Sequence, residues 1–376
     1  MKGIVLKNLV ETKGSRAVSR LLGDLLREGK VQPDDFSVQE LWEALVGRMS
    51  KTLPTAYRKS GFVDVAEAAV DTTAFADIMG QILMSRAMNT YAGQGYIGDR
   101  LVDTIRTTKL AERAPGFTLQ NDVAEVDEGM PYPESGMGDQ YVSFLSGKKR
   151  GVLLSITEEA IFRDETGWLL RSAGEVGDYV RADKEGRIIN VVTGTTNAYR
   201  INGTNTALYS ATAASAGGHG NQTAANALVD WTDIDVCLQL IALQRRVDLT
   251  TPVSIVPTQM LVPYALFAKA SMILNSTAIT DVNATTTPRY HRENPFLNAF
   301  ELLTSVRLDA ILATTWYLMN GPKAFVYREH WPFQAFRRDR NTEDGFKADI
   351  VAQFKFREWG TAEVIDHRWT YQCPGA

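Results

Sequence analysis

Histidine and cysteine are the first residues to weigh for catalysis or metal binding, and this chain carries four of one and two of the other. His219, His291, His330 and His367 are too widely spaced to mark a metal site, and Cys237 and Cys373 lack the close pairing that a zinc cage uses. The run Gly217, Gly218, His219, Gly220 supplies turns and one imidazole, but not the GxGxxG or Walker-type frame that cradles a phosphate. No GxSxG elbow occurs. Glu158 with Glu159, and Asp164 with Glu165, are sequence neighbours that point apart on a helix, so neither is a ready acid–base pair. These residue types predict no catalytic site, no metal and no cofactor.

Charge pairing is the chemistry that the pattern favours. Between Ala114 and Gly147 there is no Lys or Arg, while Asp122, Glu125, Asp127, Glu128, Glu134 and Asp139 accumulate; Lys148, Lys149 and Arg150 then arrive together. A second basic cluster, Arg337, Arg338 and Arg340, has Phe336 beside it and Arg328 upstream. Such arginines suit a phosphate backbone, yet in a chain of net charge -4 they are better matched to carboxylates, including those of another subunit. The candidate inter-subunit contacts are therefore Asp122, Glu125, Asp127, Glu128, Lys148, Lys149, Arg150, Arg337, Arg338 and Arg340. A network of this kind gives orientation more than affinity.

The elements that must carry these residues are legible as periodicity. A chain of 376 residues can form two domains or one elongated body with appendages. Its start, MKGIVLKNLVETKG, has no continuous apolar stretch or cleavage pattern, and no run is long enough to span a bilayer. With only two cysteines, the expectation is a soluble, intracellular, thiol-independent protein, in which the N-x-S/T sequences at Asn202, Asn221, Asn275 and Asn283 are incidental. Residues 1–60 read as a helical arm. Val18, Leu21, Leu22, Leu25 and Leu26 share one face, and Ser37 with Glu40 forms a capping box ahead of Leu41, Trp42, Leu45 and Val46. Two such helices cannot make a core alone and need the main body or a neighbouring subunit. A third helix is expected from Asp71 to about Asn89, followed by LVDTIRTTKL as a strand or short helix.

The acidic stretch reads as a hairpin arm, with FTLQNDVAEV and QYVSFLSGKKRGVLLSI as strand material around the turn region EGMPYPESGMGD. Directly after it, Thr157 to Val192 reads as one long, poorly buried helix with a broken apolar stripe, about 36 residues and about 54 Å if continuous. The alternative is two helices broken between Gly174 and Gly186. Thr193 to Leu228, rich in Ala, Ser, Thr, Gly and Asn, predicts a long loop or partial disorder. WTDIDVCLQLIALQRRVDL then predicts a helix, and PVSIVPTQMLVPYALFAKASMILNS a buried strand and a helix begun near Pro257 or Pro263. Near the end, Phe346, Ala348, Ile350, Ala352, Phe354 and Phe356 alternate with polar positions, the clearest strand signal in the chain.

This order of arm, acidic hairpin, long helix, α/β segment with VPTQMLVPYALFAKA and strand-rich ending with KFREWGTAEVIDHR resembles the major capsid proteins of tailed bacteriophages. Among them it is most similar to the head subunits of Mu-type phages and prophages. The resemblance implies an α+β fold of the Hong Kong 97 type, with an N-terminal arm over 1–70 and peripheral-domain parts over 71–112, 153–229 and 316–376. It implies an extended loop over 113–152, a spine helix from Thr157 to Val192, and an axial domain over 230–315. It further implies a non-enzymatic subunit that assembles with copies of itself as pentamers and hexamers around non-specifically held double-stranded DNA. Portal and scaffolding or protease proteins would take part in assembly, in the host bacterial cytoplasm, and the product would be a virion capsid with no membrane. The family offers no catalytic residues to carry over. A tail tube or portal subunit is the nearest alternative, although tube proteins are mostly β. A soluble enzyme or binding protein would need a pocket of converging polar groups that the sequence does not offer.

Overall fold

Met79, Ile82, Leu83 and Ala87 recur at three- and four-residue steps and are the buried side of helix α1, residues 79–93. The computed structural model describes residues 79–93, 95–115, 125–132, 141–157, 159, 168–196, 199–245, 252–280, 291–339 and 350–375, with Leu21, Asp24 and Leu25, which are helical. The rest of the expected arm, the first turns of the third helix, Asp122, Glu134, Asp139, Arg340, Phe346 and Ala348 lie outside the described residues. After α1 come the short helix α2 (Gly98–Leu101), the exposed strand β1 (Asp103–Arg106), β2 (Glu112–Pro115) and β3 (Tyr141–Phe144). The segment LVDTIRTTKL is thus a strand at its centre, not a helix.

The nine-residue strand β4 (Lys149–Thr157) precedes helix α3 (Trp168–Val192). This corrects the long-helix reading in three ways. Thr157 ends strand β4. The helix has 25 residues, not about 36. As the continuous reading expects, it runs without a break through Gly174, Gly177 and Gly186, and two of these glycines are sites of close approach: a Cβ on Gly177 would collide with the carbonyl oxygen of Ala87, and one on Gly186 with the guanidinium of Arg307. Nor is the helix poorly buried. Arg181, Lys184 and Glu185 are buried beside Val180, Ile188 and Ile189. Lys184 is held by Asp99 at 3.1 Å and by the Tyr327 ring at 4.4 Å, and Glu185 accepts a 2.6 Å hydrogen bond from the Gly98 amide at the start of α2. Charged side chains held by ion pairs and hydrogen bonds to distant partners do not register in an apolar stripe.

Next follow β5 (Arg200–Ile201), β6 (Thr204–Asn205) and α4 (Trp231–Ala242), whose capping box is Asp230 with Asp233. Then come β7 (Gln259–Val262) and α5 (Tyr264–Asn275), begun at Pro263 as expected, and the hairpin of β8 (Ala278–Thr280) with β9 (His291–Glu293). The chain closes with β10 (Glu301–Thr304), α6 (Val306–Leu312), β11 (Trp316–Met319), α7 (Gly321–Ala324), β12 (Phe325–Asp339), β13 (Ile350–Val364) and β14 (Thr370–Cys373). The class is α+β.

The chain divides into two compact units. The first comprises Met1–Gly95, Lys149–Asp183 and Trp331–Trp359. Within it β13 pairs antiparallel with β4 from Ile350↔Thr157 to Trp359↔Lys149. Ala352, Phe354 and Phe356 point inward with Ile156 and Phe333, so the period-two signal is a real strand face. The Tyr91 ring of α1 stacks on Phe333 at 4.4 Å and its hydroxyl donates to Glu358 at 3.1 Å.

The second unit comprises Tyr96–Lys148, Lys184–His330 and Gly360–Ala376. It holds a sheet in the order β10-β7-β11-β14, in which β7, β11 and β14 are buried along their whole length. That explains their unbroken QMLV and WYLM runs. It also holds the order β2-β3-β5-β6, and the parallel pairing of β1 with Val326–Glu329 of β12. The hairpin arm is real at its base, where β2 and β3 pair antiparallel, but Lys149–Val152 belongs to β4 and Glu125 and Val126 are not strand.

The described part of 193–228 is not a loose loop. Asn221 is fully buried: its amide donates to the carbonyls of Leu208, His367 and Thr370, and its Oδ1 accepts from the Ser210 amide. Thr223 and Asn226 donate backbone hydrogen bonds to Gln372 and Pro374 beside β14, and Leu208 and Tyr209 enter the core. Polar anchoring takes the place of the apolar burial that the composition lacks.

Candidate functional site

The outward face of the sheet in the first unit is built by alternation. With Phe354 and Phe356 inside, Gln353, Lys355, Arg357 and Trp359 of β13 must face out, and β4 adds Lys149, opposite Trp359. The Lys149 ammonium lies 4.6 Å from the Trp331 ring centroid and 5.1 Å from that of Trp359. The two indoles meet edge to face at 4.9 Å. Arg357 lies 4.3 Å from both Trp331 and Phe336 and donates to Gln334, while Lys355 lies 5.4 Å from Phe336. Phe336 is 41% exposed and Leu153, also outward, 60%. Among the described residues this face carries no carboxylate. Aromatic rings and arginine are residue types enriched at protein–protein interfaces.

A surface of opposite character lies in the second unit. Glu125, Asp127 and Glu128 are exposed and precede a turn at Gly129 (φ 82°), where Met130 donates to the Asp127 carbonyl. Met130 is 65% and Tyr132 85% exposed. At the base of this arm the Arg328 guanidinium, almost fully buried, donates to the Lys109 and Leu145 carbonyls and faces Glu112 at 3.5 Å.

The candidate residues fall unevenly on these surfaces. Glu125, Asp127 and Glu128 sit on the acidic arm; Asp122 and Arg340 lie outside the described residues. Lys148 is exposed ahead of β4 and Lys149 is in the aromatic cluster. Arg150 points to the opposite side of β4 and pairs with Asp183 of α3 at 3.1 Å. Arg337 and Arg338 are on β12, where the Arg337 stem lies against Gly80 of α1 and Arg338 is exposed. Sequence reasoning placed Phe336 beside the arginine cluster but missed Trp331, Lys355, Arg357 and Trp359. Their signal was present: the alternation that put Phe354 and Phe356 inside fixes Lys355, Arg357 and Trp359 outside. The fold also brings the rings of His219 and His367 to 4.1 Å, tilted by 35°. Among the described residues no group of three or more His, Cys, Asp or Glu could hold a metal, and no helix is long and apolar enough to cross a membrane.

Comparison with solved structures gives matches to a virus-like particle from Pyrococcus furiosus (TM-score 0.42, 10% identity, 78% of this chain and 99% of that one). Mycobacterium phage Cain also matches (0.46, 12%, 76% and 92%), as does the capsid of the cyanophage P-SCSP1u (0.49, 10%, 73% and 86%). No curated protein sequence matches the chain. The profile of a family described as phage capsid protein matches residues 142–372, more than half of the sequence, and supports the α+β, Hong Kong 97-like capsid fold expected from it. The match spans β3, α3, the buried sheet and the basic, aromatic face: the chain belongs to the phage capsid protein family, as a structural protein and not an enzyme.

Proposed function

We propose that this chain is the major head subunit of a tailed bacteriophage or prophage, of the Mu type, and that copies of it assemble as pentamers and hexamers into an icosahedral shell around double-stranded DNA. The observation that carries the reading is the pair of unlike surfaces: an acidic arm with exposed Met130 and Tyr132, and a sheet face of Lys149, Lys355 and Arg357 set among Trp331, Phe336 and Trp359. Each suits the other on a second copy, as repeated subunit contacts require. In this reading the excursion between β2 and β3 is the extended loop within 113–152, α3 is the spine, 230–315 is the axial domain and 316–376 returns to the peripheral domain. Asp122, Lys148, Arg338 and Arg340 join the inter-subunit network, and Arg150 and Arg337 serve their own subunit. A net charge of -4 lets a container hold DNA without gripping it. Portal and scaffolding or protease proteins act during assembly in the bacterial cytoplasm, and the mature location is the virion.

Negative-stain microscopy of the purified full chain tests this. Closed shells or isolated rings of five and six are expected, and a persistent monomer at high concentration overturns it. Charge reversal sharpens the test. K355E/R357E and E125K/D127K should each abolish assembly, and mixing the two proteins should restore it, since each then supplies the surface that the other needs.

A further inference from the structure

We infer that Cys237 and Cys373 are a disulfide site: oxidation joins their sulfurs within one chain and locks the last strand, β14, to helix α4. The residues are 136 positions apart, yet their sulfurs lie 3.1 Å from one another, and both thiols are free and fully buried. Sequence spacing gives no hint of this, because the fold alone brings α4 and β14 together.

The two backbones that carry the thiols are pinned. Cys373 stands opposite Trp316 in the β14–β11 pairing, the flanking Gln372 and Pro374 carbonyls accept from Thr223 and Asn226, and Gly375 donates to Thr314. Cys237 sits mid-helix between the buried Ile234 and Ile241. Met260, Val262, Leu318 and Tyr371 pack in the same core, so neither sulfur can swing away to a different partner.

The oxidant is a peroxide. One sulfur, as thiolate, attacks a peroxide oxygen and breaks the O–O bond, leaving a sulfenic acid and one water. The second sulfur displaces the sulfenic oxygen, the S–S bond forms, and a second water carries away the remaining thiol proton. Two thiols are oxidised and one peroxide is reduced. The neighbouring Cys373 sulfur and burial hold the Cys237 thiol well above its ordinary range, so the step is slow at neutral pH and quickens as pH rises. The bond closes a long loop and removes freedom from the unfolded chain, whether or not the protein assembles into shells.

The test treats the purified full chain with dilute hydrogen peroxide at alkaline pH, then denatures and alkylates it. Both thiols should disappear together with a loss of about two mass units, reversibly with dithiothreitol. The unfolding midpoint should rise by about 5 °C or more. C237S and C373S should each block the change, and if either fails to fold, C237A and C373A replace them. Independent over-oxidation of single cysteines, disulfide-linked dimers, or two thiols that stay alkylatable would each overturn the inference.

Discussion

The imidazoles of His219 and His367 lie with centroids 4.1 Å apart and planes tilted by 35°, one from the glycine-rich segment and one from the turn before β14. The Tyr199 hydroxyl meets His367 Nδ1 at 2.7 Å, and Asp366 is taken up by a two-pronged contact with Arg368. Burial, and then the neighbouring His219, push His367 down to about 3, against the opposing pull of Asp366; burial also lowers His219. Both rings are therefore neutral in the folded protein at neutral pH. A histidine lowered by folding stabilises above its unfolded value near 6.5, and that stability is lost as pH falls from there toward the folded value. Between pH 7 and pH 5 urea unfolding should show a loss of about 2 kcal/mol in the wild type that a H219Q/H367Q variant lacks. Parallel pH profiles for the two proteins would refute the assignment.

Glu363 carries the opposite sign. Burial raises its carboxyl to about 8, although Arg328 and the Leu145 amide oppose the shift. Its Oε2 lies 3.9 Å from Arg328 and accepts no hydrogen bond, whereas Glu112 approaches the same guanidinium at 3.5 Å. Glu112 is thus the nearer carboxylate to Arg328, and Glu363 is mostly protonated at pH 7. A carboxyl raised by folding favours the folded state below its unfolded value, and the benefit is lost as pH rises toward 8. E363Q should match the wild type near pH 5 and exceed it by about 1–3 kcal/mol at pH 9, as read from denaturant midpoints. If E363Q is the weaker protein at pH 9, Glu363 is ionised and serves Arg328 directly.

What was legible in the sequence divides along physical lines. Ala352, Phe354 and Phe356, and the strand–helix step at Pro263, announced themselves because burial there is apolar and periodic. Asn221, Lys184 and Glu185 are as deeply buried, but hydrogen bonds and ion pairs hold them, with partners 85 to 149 positions away in Asp99, Gly98 and Thr370. Composition cannot reveal a long-range partner, so it made an ordered segment look loose and a buried helix look exposed. The site shared this fate. The charge clusters were visible as runs, while the aromatic half of the basic face required Trp331 and Trp359 to meet across two strands.

The glycines of α3 give the sharpest separation of local from tertiary effects. In an isolated helix, alanine is better than glycine by about 1 kcal/mol wherever it is placed. At Gly174 an added methyl would meet Arg86 and Thr90 at 3.5 Å, an ordinary contact, so G174A should stabilise by up to about 1 kcal/mol. At Gly177 the same methyl would run into the Ala87 carbonyl of α1, backbone that cannot turn aside without parting the two helices. G177A should therefore destabilise by about 1–3 kcal/mol despite its better propensity. Thermal unfolding of the two variants reads opposite signs from one chemical change. Equal stabilisation would mean that α1 and α3 are not in contact at Gly177, and the wish of the sequence to break there would need another cause.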